Sequence, residues 1–514
     1  MKMKSAIFAW MTLMLLNGCG LITPGQKKSV SESQKERPVV HVPLADPFIL
    51  LHDGTYYAYG TKAEHGIAVF ESDDLQTWRQ ASGRAAEGLA LHKDDVYGDR
   101  WFWAPEVYCI NGAFYMFFSA QSHVCVAVSD SPLGPFVQKE KKPMIEGEKC
   151  IDNTLFIDDD GKKYVTHGKT KIYLTRLKDD GTGVLDPDDE GTLIITAPKG
   201  YEYLFEGCHT YKRNGWYYIF NPALGYNGVQ MISRSRNLYG PYETKVLIDD
   251  DINYADAGVH QGGYVETLEG ESWAYTFQDR DYMGRCVMLY PMKWEEDWPV
   301  VGPEGKPGKG VVTYRKPAVK AKQEITFPQH SDDFSSSKLA HVWEFNHVPR
   351  KDKWSLTDRP GYFRIYAQYA KGFEWARNSL TQKVSGPYST GTVSLDLTGL
   401  REGDFAGNGI MGRVMYQLGV RKKADGFWLE MRQGGREGET VVDSLPVKTD
   451  KIYLRTEVTK QGSLLFYYSL DNLEYNRLGP EGVSNFWGFL GIRHALCCYN
   501  LNKGATGGYA DFDY

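Results

Sequence analysis

Across residues 39–314, short runs of aromatic and β-branched residues alternate with Gly, Asn and Asp turns. Asp53-Gly54-Thr55-Tyr56-Tyr57, Asn111-Gly112-Ala113-Phe114-Tyr115, Asp160-Gly161-Lys162-Lys163-Tyr164 and Asn214-Gly215-Trp216-Tyr217-Tyr218 each set a turn residue before Gly and strand formers after it, which predicts a hairpin. Glu269-Gly270-Glu271-Ser272-Trp273 is a weaker fifth copy. The copies recur roughly every 50 residues, the interval of propeller blades rather than of solenoid repeats. A second phrase of strand, turn and aromatic follows several of them, at 68–78, 126–136 and 232–242. Five such units predict a five-bladed β-propeller.

Residues 302–328 shift to Gly, Pro and Lys, which marks a linker. Beyond it strands return in another rhythm, as at 392–397 and 463–469, and no helical period is sustained, so a β-sandwich is predicted. The expected organisation is all-β: a leader and tether over 1–37, the propeller over 38–315, a linker over 316–330 and the sandwich over 331–514.

A chain of 514 residues, 42% of them hydrophobic, is too long for one compact core and too apolar for disorder. Its formal net charge of -6 supplies no basic field, so counterion release gives it no hold on nucleic acid. A neutral or weakly charged ligand fits better. The 34 Tyr, 23 Phe and 13 Trp fill β cores and can also stack on sugar rings. No P-loop is present to suggest a nucleotide.

The N-terminus carries Lys2 and Lys4, then an apolar run over 6–16, then Leu16-Asn17-Gly18-Cys19. That is an export signal too short to remain as a membrane span. Its end resembles a bacterial lipobox, although Asn17 is a less usual residue there; the resemblance makes Cys19 a lipidated mature N-terminus, and plain cleavage beside a coincidental cysteine is the alternative. Residues 24–37, rich in Ser, Lys and Gln, read as a flexible tether. Export is then expected, with contact to a membrane only through the lipid, on the periplasmic or the cell-surface face. Of the 8 cysteines, those other than Cys19 are odd in number and form no C-x-x-C, so neither a disulfide framework nor zinc is implied and most read as buried small hydrophobes.

Among 65 acids, three stand out by position, because each interrupts an apolar, strand-like phrase near the start of a different blade. They are Asp46 in Leu44-Ala45-Asp46-Pro47-Phe48, Asp152 in Cys150-Ile151-Asp152-Asn153-Thr154, and Glu206 in Leu204-Phe205-Glu206-Gly207-Cys208. A buried acid is costly unless it is paired or used. Innermost propeller strands converge on the axis, so three such acids can meet in one funnel. Hydrolysis of a glycosidic bond needs two carboxyl groups, one to protonate the leaving oxygen and one to activate water or attack carbon.

Asp46-Pro47, Trp103-Ala104-Pro105-Glu106-Val107, Ile151-Asp152 and Glu206-Gly207-x-His209, in that order, resemble the signature set of glycoside hydrolase family 43. The tail phrases Trp343-Glu344-Phe345-Asn346-His347 and Trp354-Ser355-Leu356-Thr357-Asp358-Arg359-Pro360-Gly361-Tyr362 resemble the concanavalin-like β-sandwich appended to family members described as β-xylosidases or α-L-arabinofuranosidases. The resemblance implies a five-bladed propeller hydrolysing with inversion, with Asp46 as general base, Glu206 as general acid and Asp152 raising and orienting the acid. Inversion implies carboxyls roughly 6.5 to 9.5 Å apart, leaving room for water. The family often has Pro where Asn153 and Cys208 stand, which touches the shape of the subsites rather than the carboxylates.

The resemblance further implies that His260, opening the fifth blade, faces the axis and reaches a central metal, often calcium, or supports the catalytic centre; a structural histidine is the other reading. Arg280 resembles a fifth-blade arginine that contacts sugar hydroxyls, with a surface salt bridge as its alternative. Of Trp101, Phe102 and Trp103, which could line the sugar pocket, at least one is expected in the core; Trp103 is the candidate for stacking. A calcium site shared by Asp332, Asp333, Asp511 and Asp513 is as open as ordinary strand ends. No cofactor is required beyond calcium as an option.

The expected activity is exo-hydrolysis of terminal α-L-arabinofuranosyl or β-D-xylosyl units from plant-type oligosaccharides or polysaccharides. The alternatives are a galactosidase, galactofuranosidase or endo-arabinanase of the same family, a sugar-binding propeller without catalysis, and a scaffold that turns over no sugar. The presence of all three acids weighs against the sugar-binding propeller, since a binder needs no buried carboxylate trio.

Overall fold

The computed structural model describes residues 42, 44–61, 65–147, 151–252, 257–310, 317, 331–384, 388–483, 489, 491–505 and 507–514. The lipobox with Cys19, the tether and all of the expected linker but residue 317 lie outside the described residues. No helix among the described residues is long and apolar enough to cross a membrane.

Five successive antiparallel sheets form the propeller. Blade I comprises Ala45–His52, Thr55–Thr61, Val69–Ser72 and Arg79–Gln80, and blade II comprises Trp103–Ile110, Ala113–Ala120 and His123–Ser129. Blade III runs through Thr154–Ile157, Lys163–His167, Lys171–Arg176 and Thr192–Thr196, and blade IV through His209–Arg213, Trp216–Ala223, Val229–Ser235 and Glu243–Ile248. In blade V, Val259–His260 and Tyr264–Glu266 both pair with Ser272–Asp279, followed by Arg285–Glu295 and Trp298–Val301.

The predicted hairpins are present, and their turns explain their residues. Asp53-Gly54, Asn111-Gly112 and Asn214-Gly215 have positive φ at both positions, the two-residue turn whose twist matches the flanking strands. Only Gly, Asn and Asp take that conformation at low cost.

Period-two alternation then builds the ring. Ile219 packs toward blade III while its neighbours Tyr218 and Phe220 pack toward blade V. Apolar clusters fill all five seams: blades I and II around Phe48 and Phe102, II and III around Phe117 and Val165, III and IV around Phe156 and Ile219, IV and V around Phe220 and Tyr290, V and I around Trp273 and Ile49. Each blade is contiguous in sequence, so the ring is closed by side-chain contacts between the last blade and the first rather than by a shared sheet. All six described cysteines are free, and five of them are buried, as small hydrophobes are.

Two eight-stranded sheets form the C-terminal sandwich. One includes Arg493–Asn500 between Leu380–Lys383 and Asp404–Met411; the other includes the expected strands, observed as Ser389–Asp396 and Ser463–Ser469. Lys451–Val458 alternates strictly between exposed or half-buried and buried positions, the signature of a one-faced strand. The sandwich core takes in Tyr282, Met283 and Cys286 of blade V, and the Ile492 amide donates to the Tyr282 carbonyl at 2.8 Å. Asp511 is bound by Arg364 at 2.7 Å and Arg359 at 3.0 Å, and Asp332 receives the Trp343 indole at 2.9 Å. Arginine and indole donors thus occupy two of the acids considered for a shared calcium.

Candidate active site

Each innermost strand is entered through one residue in the left-handed region: Asp46 (φ 51), Ala104 (φ 42), Asp152 (φ 54), Gly207 (φ 60) and Gln261 (φ 50). In blades I and II the strand register shifts at this point. A left-handed non-glycine residue costs about 1–2 kcal/mol and persists where its surroundings enforce it. The kink turns these residues toward the axis, where all five line one cavity with an empty volume of about 210 Å³. Two of the five are the predicted acids Asp46 and Asp152. The third acid, Glu206, precedes the kink of blade IV by one residue, as Trp103 does in blade II and His260 in blade V.

Asp46 is held from three blades. Thr61 donates its hydroxyl to one Asp46 oxygen at 2.7 Å, and Thr61 itself accepts the Ala104 amide at 3.0 Å. Arg285, heading a blade V strand, donates to the other oxygen at 2.6 Å. Arg285 also reaches Asp279 at 3.3 Å, and Asp279 stands 3.7 Å from His260. The guanidinium lies over the Phe277 ring at 4.1 Å and over Phe489 of the sandwich at 4.9 Å.

Asp152 receives the Gly207 amide at 3.1 Å, a direct tie to the residue after Glu206, and its own amide donates to Ser119 at 3.1 Å. Burial pushes the Asp152 carboxyl well above the usual range, and the Glu206 and Asp46 charges push the same way. Glu206 is raised as well, by burial first; Lys169 opposes this from 3.5 Å, Asp46 adds to it and Arg285 opposes it. The arrangement therefore keeps at least one proton on this pair above the pH where free carboxyls have lost theirs.

Glu106 and His209 line the same cavity. Glu106 stands 2.7 Å from His209 and accepts the hydroxyls of Thr154, at 2.5 Å, and Tyr108. The His209 ring stacks on Phe48 and meets Tyr275 edge-on. Both side chains are nearly fully buried, so the pair is held in one arrangement.

The structure brings Asp46, Asp152 and Glu206 together, with His260 alongside through Asp279. Trp103 stacks on Trp101 with ring centroids 5.5 Å apart, while Phe102 between them is the core residue of the three. Arg280 donates to Gln278 at 2.9 Å and contacts the Met288 sulfur. The arginine bound to Asp46 is Arg285. Besides Arg285, the sequence reading assigned no part to Thr61, Lys169 or Phe489.

Calcium at His260 does not fit the residues present. It is a hard cation that wants several oxygen donors. The carboxylates facing His260, Asp279 and more distantly Asp46, are both bound by Arg285. Among the described residues no three His, Cys, Asp or Glu are grouped to hold a metal. Burial instead lowers the His260 pKa and favours the neutral ring.

Residues 35–299 match the family model for glycosyl hydrolases family 43, and residues 331–514 match that for the β-xylosidase C-terminal concanavalin A-like domain. A putative β-xylosidase of Xylanibacter ruminicola is 32% identical over 88% of this chain and 84% of its own length. A β-xylosidase of Formosa agariphila is 29% identical over 93% and 89%. A non-reducing end α-L-arabinofuranosidase of Bacteroides ovatus is 27% identical over 66% of each chain. Among solved structures, a bifunctional protein of Bacteroides eggerthii superposes with a TM-score of 0.78 at 29% identity, over 93% of this chain and 62% of that longer one.

Proposed function

The chain belongs to glycosyl hydrolases family 43 and is a glycoside hydrolase, and from that membership we propose that it removes terminal β-D-xylosyl units from plant-type oligosaccharides with inversion at the anomeric carbon. The observation that carries this reading is that Asp46 and Asp152 line one axial cavity while Glu206 acts electrostatically on Asp152 and feels Asp46, each acid with a different support.

In the proposed reaction Asp46 takes a proton from water as the water oxygen bonds to C1. The bond from C1 to the leaving oxygen breaks with its electron pair, and Glu206 gives that oxygen its proton. Thr61 and Arg285 fix both Asp46 oxygens, so the base is aimed before substrate arrives. Burial beside two other carboxyls keeps a proton available for Glu206, and the Gly207 amide ties Asp152 to the chain that carries the acid.

The xylosyl preference rests on the two relatives named β-xylosidases, which match across both domains. Terminal α-L-arabinofuranosyl units are the second reading, supported by the Bacteroides ovatus relative. We further propose export and lipid anchoring through Cys19, supported by Lys2, Lys4 and the apolar run before it.

Release of nitrophenol from β-D-xyloside, α-L-arabinofuranoside and galactoside reporters by wild type and by Glu206→Gln tests the assignment. Fastest turnover of the xyloside is expected. Preference for another reporter reassigns the sugar, and silence on all three, and on xylobiose, overturns the catalytic reading.

A further inference from the structure

The turn joining the second and third strands of blade III, residues 168–170, is anchored to the chain beside both raised acids. The Gly168 amide donates to the carbonyl of Ile151, next to Asp152, at 3.4 Å, and the Thr170 amide donates to the carbonyl of Phe205, next to Glu206, at 2.8 Å. The Thr170 hydroxyl binds the Glu202 carbonyl at 3.0 Å, and the Ala197 amide binds the Thr170 carbonyl at 2.9 Å. Gly168 has φ 129, and a Cβ there would fall 2.2 Å from the Lys171 carbonyl, so the turn is confined to this path. Lys169 sits between the two anchors and delivers its ammonium to Glu206 at 3.5 Å.

That placement runs against the work of a general acid. Glu206 must be protonated to act, and a neighbouring ammonium favours its ionised form. The other groups facing Glu206 cannot trade places with the lysine. Asp46 and Asp152 are anionic when ionised, and Arg285 is fixed on Asp46 and Asp279 between two aromatic rings. Lys169 alone has a long side chain, 43% exposed, that can leave Glu206 without breaking another ion pair or side-chain hydrogen bond among the described residues. As the acid, Glu206 must touch the departing oxygen, so an ammonium 3.5 Å from Glu206 is within reach of the other oxygens of the leaving sugar.

Resting on the assignment of Glu206 as the acid, we propose that Lys169 is a leaving-group sensor: it holds Glu206 in the empty pocket and passes to a hydroxyl or ring oxygen of the leaving sugar when an oligosaccharide binds. Glu206 then takes a proton from solvent and is ready to donate. The class of substrate this favours carries a sugar, with several oxygens, as leaving group, rather than a small aglycone.

Full-length wild type, Lys169→Met and Lys169→Arg are compared by pH profile on xylobiose and on nitrophenyl β-D-xyloside, with folding checked by Tm. For Lys169→Met the alkaline limb of kcat/KM, which reports the free enzyme, is expected to move up by about one pH unit while the limb of kcat stays. Its kcat/KM is expected to fall about tenfold on xylobiose and less than about twofold on the aryl xyloside, whose leaving group needs little acid help. Lys169→Arg keeps the charge and should keep the low limb of kcat/KM. A limb that stays in place in Lys169→Met, or equal losses on both substrates, overturns the proposal.

A second readout needs no turnover. The protonated carboxyl infrared band that is lost in Glu206→Gln is titrated in ligand-free protein, and it should persist to higher pH in Lys169→Met than in wild type. An unmoved band overturns the proposal, and so does a Lys169→Met chain that fails to fold together with a Lys169→Arg chain whose band moves upward. If wild type hydrolyses no glycoside, the functional reading fails, and the sensor proposal, which needs a leaving group, falls with it however the band behaves.

Discussion

Arg285, at the head of a blade V strand, donates to Asp46 of blade I at 2.6 Å and so ties the last blade to the first inside the site. The same guanidinium binds Asp279 and is flanked by Phe277 and Phe489, which leaves it one position. Replacing it with Met should free Asp46 to rotate and lower kcat by about 100-fold, with a Tm drop of only a few degrees. Steady-state kinetics and thermal unfolding on the same variant check this.

Thr61 is the smaller support of the same carboxylate. Thr61→Val keeps the shape but strands the Ala104 amide and one Asp46 oxygen. A loss of about 1–3 kcal/mol in stability is expected, read by urea unfolding, with a fall in kcat of about tenfold.

Asp152 and Glu206 make stability depend on pH in a stated direction. Burial raises both, so the folded chain binds protons that the unfolded chain has released. Folding is therefore least penalised below the unfolded carboxyl range, near pH 4, and loses stability as pH rises from there toward the raised folded values. Asp152→Asn removes part of that penalty and should raise Tm more at pH 7.5 than at pH 4.5.

Phe489 gives the sandwich a part in the site. Phe489→Ala removes one face of the Arg285 clamp, and kcat/KM should fall about tenfold while Tm changes little. Ending the chain before the sandwich is a harsher change. It uncovers Tyr282, Met283 and Cys286, so the isolated propeller should aggregate, as light scattering would detect.

What the sequence revealed and what it hid follow from the range of the forces involved. Asn111-Gly112 and Asn214-Gly215 are legible because a left-handed turn admits few residue types, and that demand is local. Asp46 and Asp152 are legible because an acid in an apolar run has few inexpensive places to go. Arg285 left no mark in the sequence because its place depends on hairpin register. Arg285 pairs with Asp279 across the strands and so faces the axis, whereas Arg280 lies past the strand end. Thr61 gains its role only by lying opposite Ala45, and Phe489 only by domain packing; neither leaves a local mark.

In the proposed reaction, water activated by Asp46 displaces the leaving group at C1 directly. Proton NMR during the first turnovers of nitrophenyl β-D-xyloside tests it most directly. Inversion predicts that α-xylose appears first and then relaxes toward the anomeric equilibrium, and that Asp46→Asn releases neither anomer at a measurable rate. Initial formation of β-xylose would contradict the account, because it would require a covalent intermediate that this assignment of Asp46 does not provide.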